Sequence, residues 1–188
     1  MLYLASQSPR RRELLKRFGR PFQVVRSHHR ETIRQLSTPS QNAMRNAKGK
    51  ALRAQLPSNA RGIVIGADTF LWFRGRAIGK PKTFAQARRI VGALAGRSHW
   101  VYTGICVRDA QTGRTRVGFA KSKVTFRRLT PQAIAKYVVR VHALDKAGGY
   151  AVQEDGGELI AKIEGSRTNV IGLPMELLLK ELRAIRDE

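Results

Sequence analysis

The sequence is short of cysteine and of long apolar runs. It has a single cysteine, Cys106, so an internal disulfide is excluded. Cys106 lies in the apolar stretch 104–107, which predicts a buried core side chain and not a reactive thiol. No apolar run approaches the roughly 20 residues of a membrane-spanning helix, and the first residues do not resemble a signal peptide. We therefore expect a cytoplasmic protein without a membrane partner.

Acidic residues are also scarce. Only 13 Asp and Glu residues stand against 36 Lys and Arg residues, which gives a formal net charge of +23. Such a surface attracts polyanions, so we expect weak, non-specific binding of nucleic acid at low salt. The cations are spread along the whole chain, without a zinc-ligand spacing or an RNA-binding aromatic pattern. A basic surface with no selected nucleic-acid function is therefore the favoured interpretation.

The length and patterning of the chain indicate its fold class. With 188 residues and 42% hydrophobic content, it is expected to form one domain over residues 1–188. Strand and helix patterns alternate, which predicts the α/β class. A hairpin at 71–78 and long strands at 100–107 and 117–126 interrupt a purely wound pattern, so the sheet should be mixed. Further strands are predicted at 22–25 and 62–68, and a first helix at 9–18. A long helix should follow the capping signal at 37–40, because Ala43, Ala47 and Ala51 recur at helical spacing. Other helices are predicted after a Thr83–Gln86 capping box and from Thr130 and Pro174.

The first functional pattern is the turn at residues 4–15, where a short strand leads into a helix whose first turn carries three arginines. Ser8 is suited to be the N-cap and Pro9 the first helical residue. The helix dipole makes arginine unfavourable there unless an anion is bound nearby. Backbone N–H groups, hydroxyls and guanidinium groups that converge at this point therefore predict a phosphate site.

Two carboxylates stand out because acids are rare. Asp68 closes the apolar strand predicted at 62–68, and Glu31 lies in a polar stretch. Mg²⁺ is usually held by one or two carboxylates together with substrate phosphates, so these residues predict metal-assisted chemistry on a polyphosphate. A structural cap of the next turn is the alternative for Asp68. A transition-metal site at His28 and His29 is disfavoured, and the chain has no Walker A loop, zinc-protease helix or serine-hydrolase elbow.

Two lysines lie beside glycines. Lys80 lies between Gly79 and Pro81, where the backbone could approach a ligand. Lys146 follows Asp145 and precedes a glycine pair, which suggests an ion pair next to a tight turn. Each pattern taken alone is equally compatible with a surface charge or a structural turn.

Taken in order, these motifs resemble those of the Maf family of nucleoside triphosphate pyrophosphatases. The resemblance covers nearly the whole chain. It implies a mixed α/β fold of the inosine triphosphatase type, with a cleft between two lobes. It also implies hydrolysis between the α and β phosphates with a divalent cation, Mg²⁺ or Mn²⁺. The motifs are Ser6-x-Ser8-Pro9-Arg10-Arg11, Glu31, Lys50-Ala51, 66–69, 79–81, 96–99, 103–104, 144–150, Gln153 and 164–174.

The resemblance also implies roles for individual residues. Asp68 would accept the proton of the attacking water or position that water through the metal, and Glu31 would assist; both would be metal ligands. Lys80 would be the third catalytic residue. It would neutralise the triphosphate together with Lys50 and the arginines of the first helix. The complete substrate-binding set is Ser6, Ser8, Arg10, Arg11, Lys50, Thr69, Asp145, Lys146 and Gln153.

Three positions indicate the substrate branch within the family. Arg10, Thr69 and Gln153 match the branch that acts on dTTP and UTP, whereas the branch for 7-methylguanosine triphosphate differs at all three. An amide can read the edge of uracil or thymine, which offers both a donor and acceptors. Arg30 stands where the family commonly has an acid. Together with the basic surface, Arg30 motivates the alternative of a catalytically weakened protein that binds nucleic acid, and the sequence leaves a homodimer open.

Overall fold

The structure, a computed structural model, describes residues 1–187. Helices and strands alternate along these residues, as predicted. No helix among them combines the length and the apolar character that crossing a bilayer requires. The helices are α1 (Pro9–Lys16), α2 (Pro39–Leu52), α3 (Phe84–Leu94), α4 (Pro131–Arg140), α5 (Arg167–Ile171) and α6 (Met175–Asp187). The strands are β1 (Leu2–Leu4), β2 (Phe22–Val24), β3 (Ile63–Phe73), β4 (Arg76–Ile78), β5 (Ser98–Asp109), β6 (Thr115–Phe126) and β7 (Ile160–Glu164).

The strands form one seven-stranded sheet in the order β2-β1-β3-β5-β6-β7, with β4 added against β3. Strand β1 pairs in parallel with both β2 and β3. The β3–β4 and β6–β7 pairs are antiparallel. The predicted α/β class with a mixed sheet is therefore confirmed.

The chain divides into two compact units. Unit 1 contains residues 1–69, residues 103–120 and the segment from residue 172, and unit 2 contains residues 70–102 and 121–171. Each unit has its own apolar cluster, around Val64 and Cys106 in unit 1 and around Val91 and Phe126 in unit 2. The prediction of a single domain over residues 1–188, and that of a cleft, stay predictions.

Helix α2 lies unusually close to two strands of unit 1. Its buried face carries Ala43, Ala47 and Ala51, the residues whose spacing predicts the helix. A Cβ at Gly66 of β3 would collide with the backbone of Ala47, and one at Gly104 of β5 with the backbone of Ala43. The lack of a side chain at these two glycines therefore lets helix and strands approach backbone to backbone. This contact determines how close the side chains of α2, such as Lys50 and Asn46, come to Asp68 of β3.

The threonine caps are confirmed, with one difference. Thr38 and Gln41 form a complete capping box before α2. The hydroxyl of Thr83 accepts from the backbone N–H of Gln86 before α3, but the Gln86 amide oxygen accepts from the N–H of Lys82 and not from that of Thr83. The second half of the predicted capping box is therefore wrong by one residue. Thr130 caps α4 in the same way as Thr83 caps α3.

Several element boundaries differ from the prediction; β5 and β6, for example, each begin two residues earlier than predicted. Strand β3 does not end at Asp68 but runs on through the hairpin to Phe73, because residues 71–73 pair with β4. Asp68 therefore lies inside a strand and does not follow one. Helix α1 ends at Lys16, two residues early, and Ser8 occupies its N-cap position without a side-chain hydrogen bond to the helix.

Candidate active site

A buried lysine joins the two predicted carboxylates. The ammonium of Lys50 lies 2.8 Å from Oδ1 of Asp68 and 2.5 Å from Oε1 of Glu31. It also donates to the carbonyl of Ala67 at 3.0 Å. Lys50 comes from α2 and Asp68 from β3, so the close packing of this helix on its strand brings them together. The structure thus gathers three of the predicted site residues around one cation.

Asp68 is ionised in this setting. Its side chain is only 6% exposed. Burial by itself would raise the pKa of Asp68, but the charge of Lys50 and its hydrogen bond act against burial, and the charge of Arg11 and the amide of Asn46 add to them. The balance holds the pKa of Asp68 below its usual value. A buried carboxylate that stays charged at neutral pH can accept a proton.

The phosphate-loop prediction is organised around Arg11. This side chain is buried, and its Nε donates to the carbonyl of Gly172 at 2.7 Å. Its terminal nitrogens donate to Oγ of Ser6 at 3.0 Å and to Oγ1 of Thr69 at 2.9 Å. Burial lowers the pKa of Arg11, against the charges of Asp68 and Glu31. Arg11 therefore ties the loop at 4–11 to Thr69 of β3 and to Gly172.

The rest of the loop is arranged around Ser6. Its hydroxyl accepts from the backbone N–H of Ser8 at 3.3 Å as well as from Arg11. Ser8 and Arg10 are half-buried at the start of α1, where the helix leaves backbone N–H groups without partners inside the helix. Unit 1 therefore brings together eight of the predicted residues, namely Ser6, Ser8, Arg10, Arg11, Glu31, Lys50, Asp68 and Thr69.

Unit 2 contains the other four predicted residues. The ammonium of Lys146 is buried, 2.9 Å from Oδ1 of Asp145 and 3.5 Å from Oε1 of Glu154. The N–H of Gly148 donates to the carbonyl of Gly79 at 2.9 Å, so the segment that carries Lys80 lies beside this turn. Lys80 and Gln153 are themselves exposed. The predicted ion pair between Asp145 and Lys146 is confirmed.

Sequence reasoning missed the asparagines of α2. Asn46 is buried, and its Nδ2 donates to Oδ2 of Asp68 at 2.9 Å. Asn42 is equally buried and binds the backbone of Arg34. A signal was present, because residues 42, 46 and 50 are polar and spaced four apart, directly beside the alanines that pack on the sheet. Polar side chains one turn apart on a buried helix face predict a polar partner opposite them.

Asp68 and Glu31 are the residues of this site whose side chains carry the oxygen donors a metal ion could use. Within residues 1–187, no group of three or more His, Cys, Asp or Glu side chains could enclose a metal. Carboxylate oxygens are donors of the kind that Mg²⁺ and Mn²⁺ take together with water and phosphate oxygens, and a cation here would share them with the ammonium of Lys50. His29 is engaged elsewhere, because its ring nitrogens contact Asn46 at 3.2 Å and Arg53 at 2.8 Å.

Comparison with known proteins gives the chain a family. The model of the family described as Maf-like protein matches residues 1–185. Proteins named dTTP/UTP pyrophosphatase match it from Moorella thermoacetica (45% identity over 98% of this chain and 94% of that one) and Gloeobacter violaceus (43% over 95% and 92%). A protein of the same name from Bacillus cereus is 39% identical over 97% of this chain and 94% of its own length.

A solved structure gives a more distant likeness. The Staphylococcus aureus Ham1 protein aligns with 97% of this chain and 98% of its own, at 15% identity and a TM-score of 0.49, which is too remote to carry an assignment. The family model and the curated relatives, in contrast, each match almost from end to end. On that ground, the chain belongs to the Maf-like protein family.

Proposed function

We propose that this chain is a dTTP/UTP pyrophosphatase. It hydrolyses the bond between the α and β phosphates and releases the nucleoside monophosphate and pyrophosphate. The observation that carries the proposal is the buried, ionised Asp68, held by Lys50 next to Glu31 and the Arg11 loop. Relatives at 39–45% identity that bear this name support the choice of substrate.

Asp68 acts as the proton acceptor. Water attacks the α-phosphorus, and a proton passes from the water to the carboxylate of Asp68. The bond between the α-phosphorus and the α–β bridging oxygen breaks, and pyrophosphate is the leaving group. Lys50 keeps the carboxylate charged before the reaction. Once a proton has arrived, Lys50 retains Glu31 as its partner, so the ammonium is not left without a counter-charge.

The residues of the first turn bind the phosphates. Backbone N–H groups at the start of α1, the hydroxyls of Ser6 and Ser8 and the guanidinium of Arg10 present donors to anionic oxygens. Arg11 fixes this arrangement through Ser6 and Thr69. Lys80 adds a cation for the leaving pyrophosphate, where negative charge grows in the transition state.

Glu31 and Asp68 are the residues that would hold Mg²⁺ or Mn²⁺, as their hard oxygen donors fit such ions. When bound, the cation supplies neutralisation of phosphate charge. Base selection falls to Arg10, Thr69 and Gln153, with Asp145 and Lys146 completing the binding set. The exposed amide of Gln153 is suited to the edge of uracil or thymine.

Three finer points belong to the same proposal. The protein works in the cytoplasm, binds nucleic acid weakly and without sequence preference, and is a candidate homodimer. Weak binding follows from the charge of +23, because dispersed cations act through the release of counterions and lose affinity as salt rises. The alternative of a protein that has lost catalysis finds no support, because Asp68, Glu31 and Lys50 remain assembled.

Measuring pyrophosphate release from a panel of nucleotides tests the function. We expect release from dTTP and UTP in the presence of Mg²⁺ or Mn²⁺, faster than from ATP, GTP or 7-methylguanosine triphosphate. Chelation of the cation should abolish it. A preference for the methylated guanine nucleotide would contradict the branch assignment, and no release from any triphosphate would contradict the function itself.

A further inference from the structure

The amide of Asn46 is buried and fully hydrogen-bonded. The residue is 1% exposed. Its Nδ2 donates to Oδ2 of Asp68 at 2.9 Å and to the carbonyl of Thr32 at 3.1 Å. Its Oδ1 accepts from the N–H of Thr32 at 3.1 Å and contacts Nε2 of His29 at 3.2 Å. All four hydrogen-bonding positions of the side chain are therefore used inside the protein.

These partners fix the orientation of the amide. The backbone of Thr32 offers both an N–H and a carbonyl, so Oδ1 must face the first and Nδ2 the second. A flipped amide would place Oδ1 against the carboxylate of Asp68, which only accepts. Arg53 can only donate, so Nδ1 of His29 accepts from it and Nε2 is left to donate to Oδ1 of Asn46. The contacts with Thr32, His29 and Asp68 therefore all require that Nδ2 is the atom that faces Asp68.

The hydrogen bonds of Asn46 connect the two carboxylates of the site. One N–H holds Asp68, and the remaining contacts hold His29 and Thr32, which flank Glu31 in the chain. Lys50, one turn further along α2, contacts both carboxylates directly. Removal of Asn46 would leave Lys50 as the one remaining connection between the Glu31 segment and Asp68 among the contacts described here.

We propose that Asn46 is a positioning residue: its amide orients the Asp68 carboxylate toward the attacking water and holds the Glu31 segment in register with it. This inference rests on the proposed function. It assigns to Asn46 a part in the reaction that no motif of the sequence assigns. Asn46 touches neither substrate nor reacting atoms; it acts through Asp68 and Glu31.

Asn42 provides a matched control on the same helix. It is also 1% exposed, and it holds the same loop in the same manner, with Oδ1 accepting from the N–H of Arg34 at 2.9 Å and Nδ2 donating to its carbonyl at 3.0 Å. Its partners do not include Asp68. A role limited to anchoring the loop would therefore show equally in variants of the two asparagines.

The experiment compares Asn46→Leu with Asn42→Leu in the full-length protein by steady-state kinetics with dTTP and by thermal unfolding. Leucine keeps a similar volume and removes every hydrogen bond. We expect both variants to unfold at lower temperature. Only Asn46→Leu should lower kcat, by roughly 10- to 100-fold, because it removes the hydrogen bond that positions Asp68. Its KM should stay within about threefold of wild type.

Equal effects of the two variants on kcat would overturn the proposal, as would wild-type kcat in Asn46→Leu. If Asn46→Leu does not fold, Asn46→Ala and Asn42→Ala replace the pair, because alanine leaves room for water. Nitrogen-15 NMR adds a readout that needs no turnover, since the Asn46 side-chain amide resonances should move in Asp68→Asn and those of Asn42 should not. A wild-type protein that releases no pyrophosphate refutes the proposed function, whereas an unmoved Asn46 resonance refutes this inference.

Discussion

Two buried lysines in this chain each contact two carboxylates, and they differ in what surrounds those carboxylates. Lys50 contacts Asp68, whose side chain is 6% exposed, and Glu31, which is 59% exposed. Lys146 contacts Asp145 and Glu154, which are 53% and 45% exposed. Water can solvate both partners of Lys146 but only one partner of Lys50.

The two regions differ in whether water or the protein stabilises the carboxylates. A half-exposed carboxylate that loses its lysine is solvated at little cost, so the Lys146 pairs contribute mainly local order. The buried carboxylate of Asp68 cannot be solvated in this way, and it is stabilised by Lys50, Arg11 and Asn46 instead. Because protein groups and not water stabilise the charge of Asp68, these groups also fix the orientation of its carboxylate. A fixed orientation is what a proton acceptor needs.

The largest effect is expected from Asp68→Asn. The variant keeps the shape of the side chain and loses the proton acceptor, so kcat for dTTP should fall by roughly 10²- to 10⁴-fold while nucleotide binding persists. Glu154→Gln makes the same change beside Lys146, where water replaces the lost contact, and should alter kcat by less than about threefold. Turnover by Asp68→Asn within a few-fold of wild type would remove Asp68 from this role and make Glu31 the candidate.

Replacing the lysines themselves should separate the two regions by stability. Lys50→Met leaves a buried carboxylate unpaired and should lower the free energy of unfolding by about 3–5 kcal/mol. Lys146→Met leaves two half-exposed carboxylates and should cost up to about 1 kcal/mol, because solvent screens them. Urea denaturation at neutral pH measures both values. Equal losses would show that exposure of the partners does not control the strength of these pairs.

The smallest effect is expected in how the stability of the fold changes as the pH falls. Since the pKa of Asp68 is lowered from 3.8 in the folded protein, its charge stabilises the fold above that value. This stabilisation is lost as the pH falls from the unfolded-state pKa through the lowered folded one. Denaturant midpoints between pH 6 and pH 3 should therefore fall less steeply in Asp68→Asn than in wild type, and Lys146→Met should still lose stability on acidification. A wild-type slope in Asp68→Asn would contradict the lowered pKa.

Local chemistry made much of the fold predictable. The threonine caps, the prolines at helix starts and the alanine spacing of α2 each depend on neighbours within a few residues, and they placed the helices correctly. Strand β3 was predicted too short because Asp68 resembles a residue that ends a strand. The hairpin at 71–78 was predicted, but its first strand is continuous with the strand predicted at 62–68, so β3 runs through the acid to Phe73.

The residues of the candidate site could be proposed from the sequence, but the contacts between them could not. The arginine-rich first turn and the two rare carboxylates identify themselves by charge. The Lys50–Asp68 contact joins residues 18 positions apart, and it exists because α2 packs closely on β3. Asn46 was missed because its spacing from Asn42 and Lys50 indicates a polar partner without identifying it, and that partner, Asp68, lies 22 positions away.

The close approach of α2 to Gly66 and Gly104 makes the active site vulnerable at a distance. Neither glycine carries a functional group, yet a single methyl group at either position would push the helix outward and move Lys50 and Asn46 away from Asp68. Activity in this protein therefore depends on the lack of a side chain at Gly66 and Gly104 as well as on the reacting groups. A mutagenesis screen that kept only the polar site residues unchanged would inactivate the enzyme through substitutions at Gly66 and Gly104, although neither residue carries a reactive group.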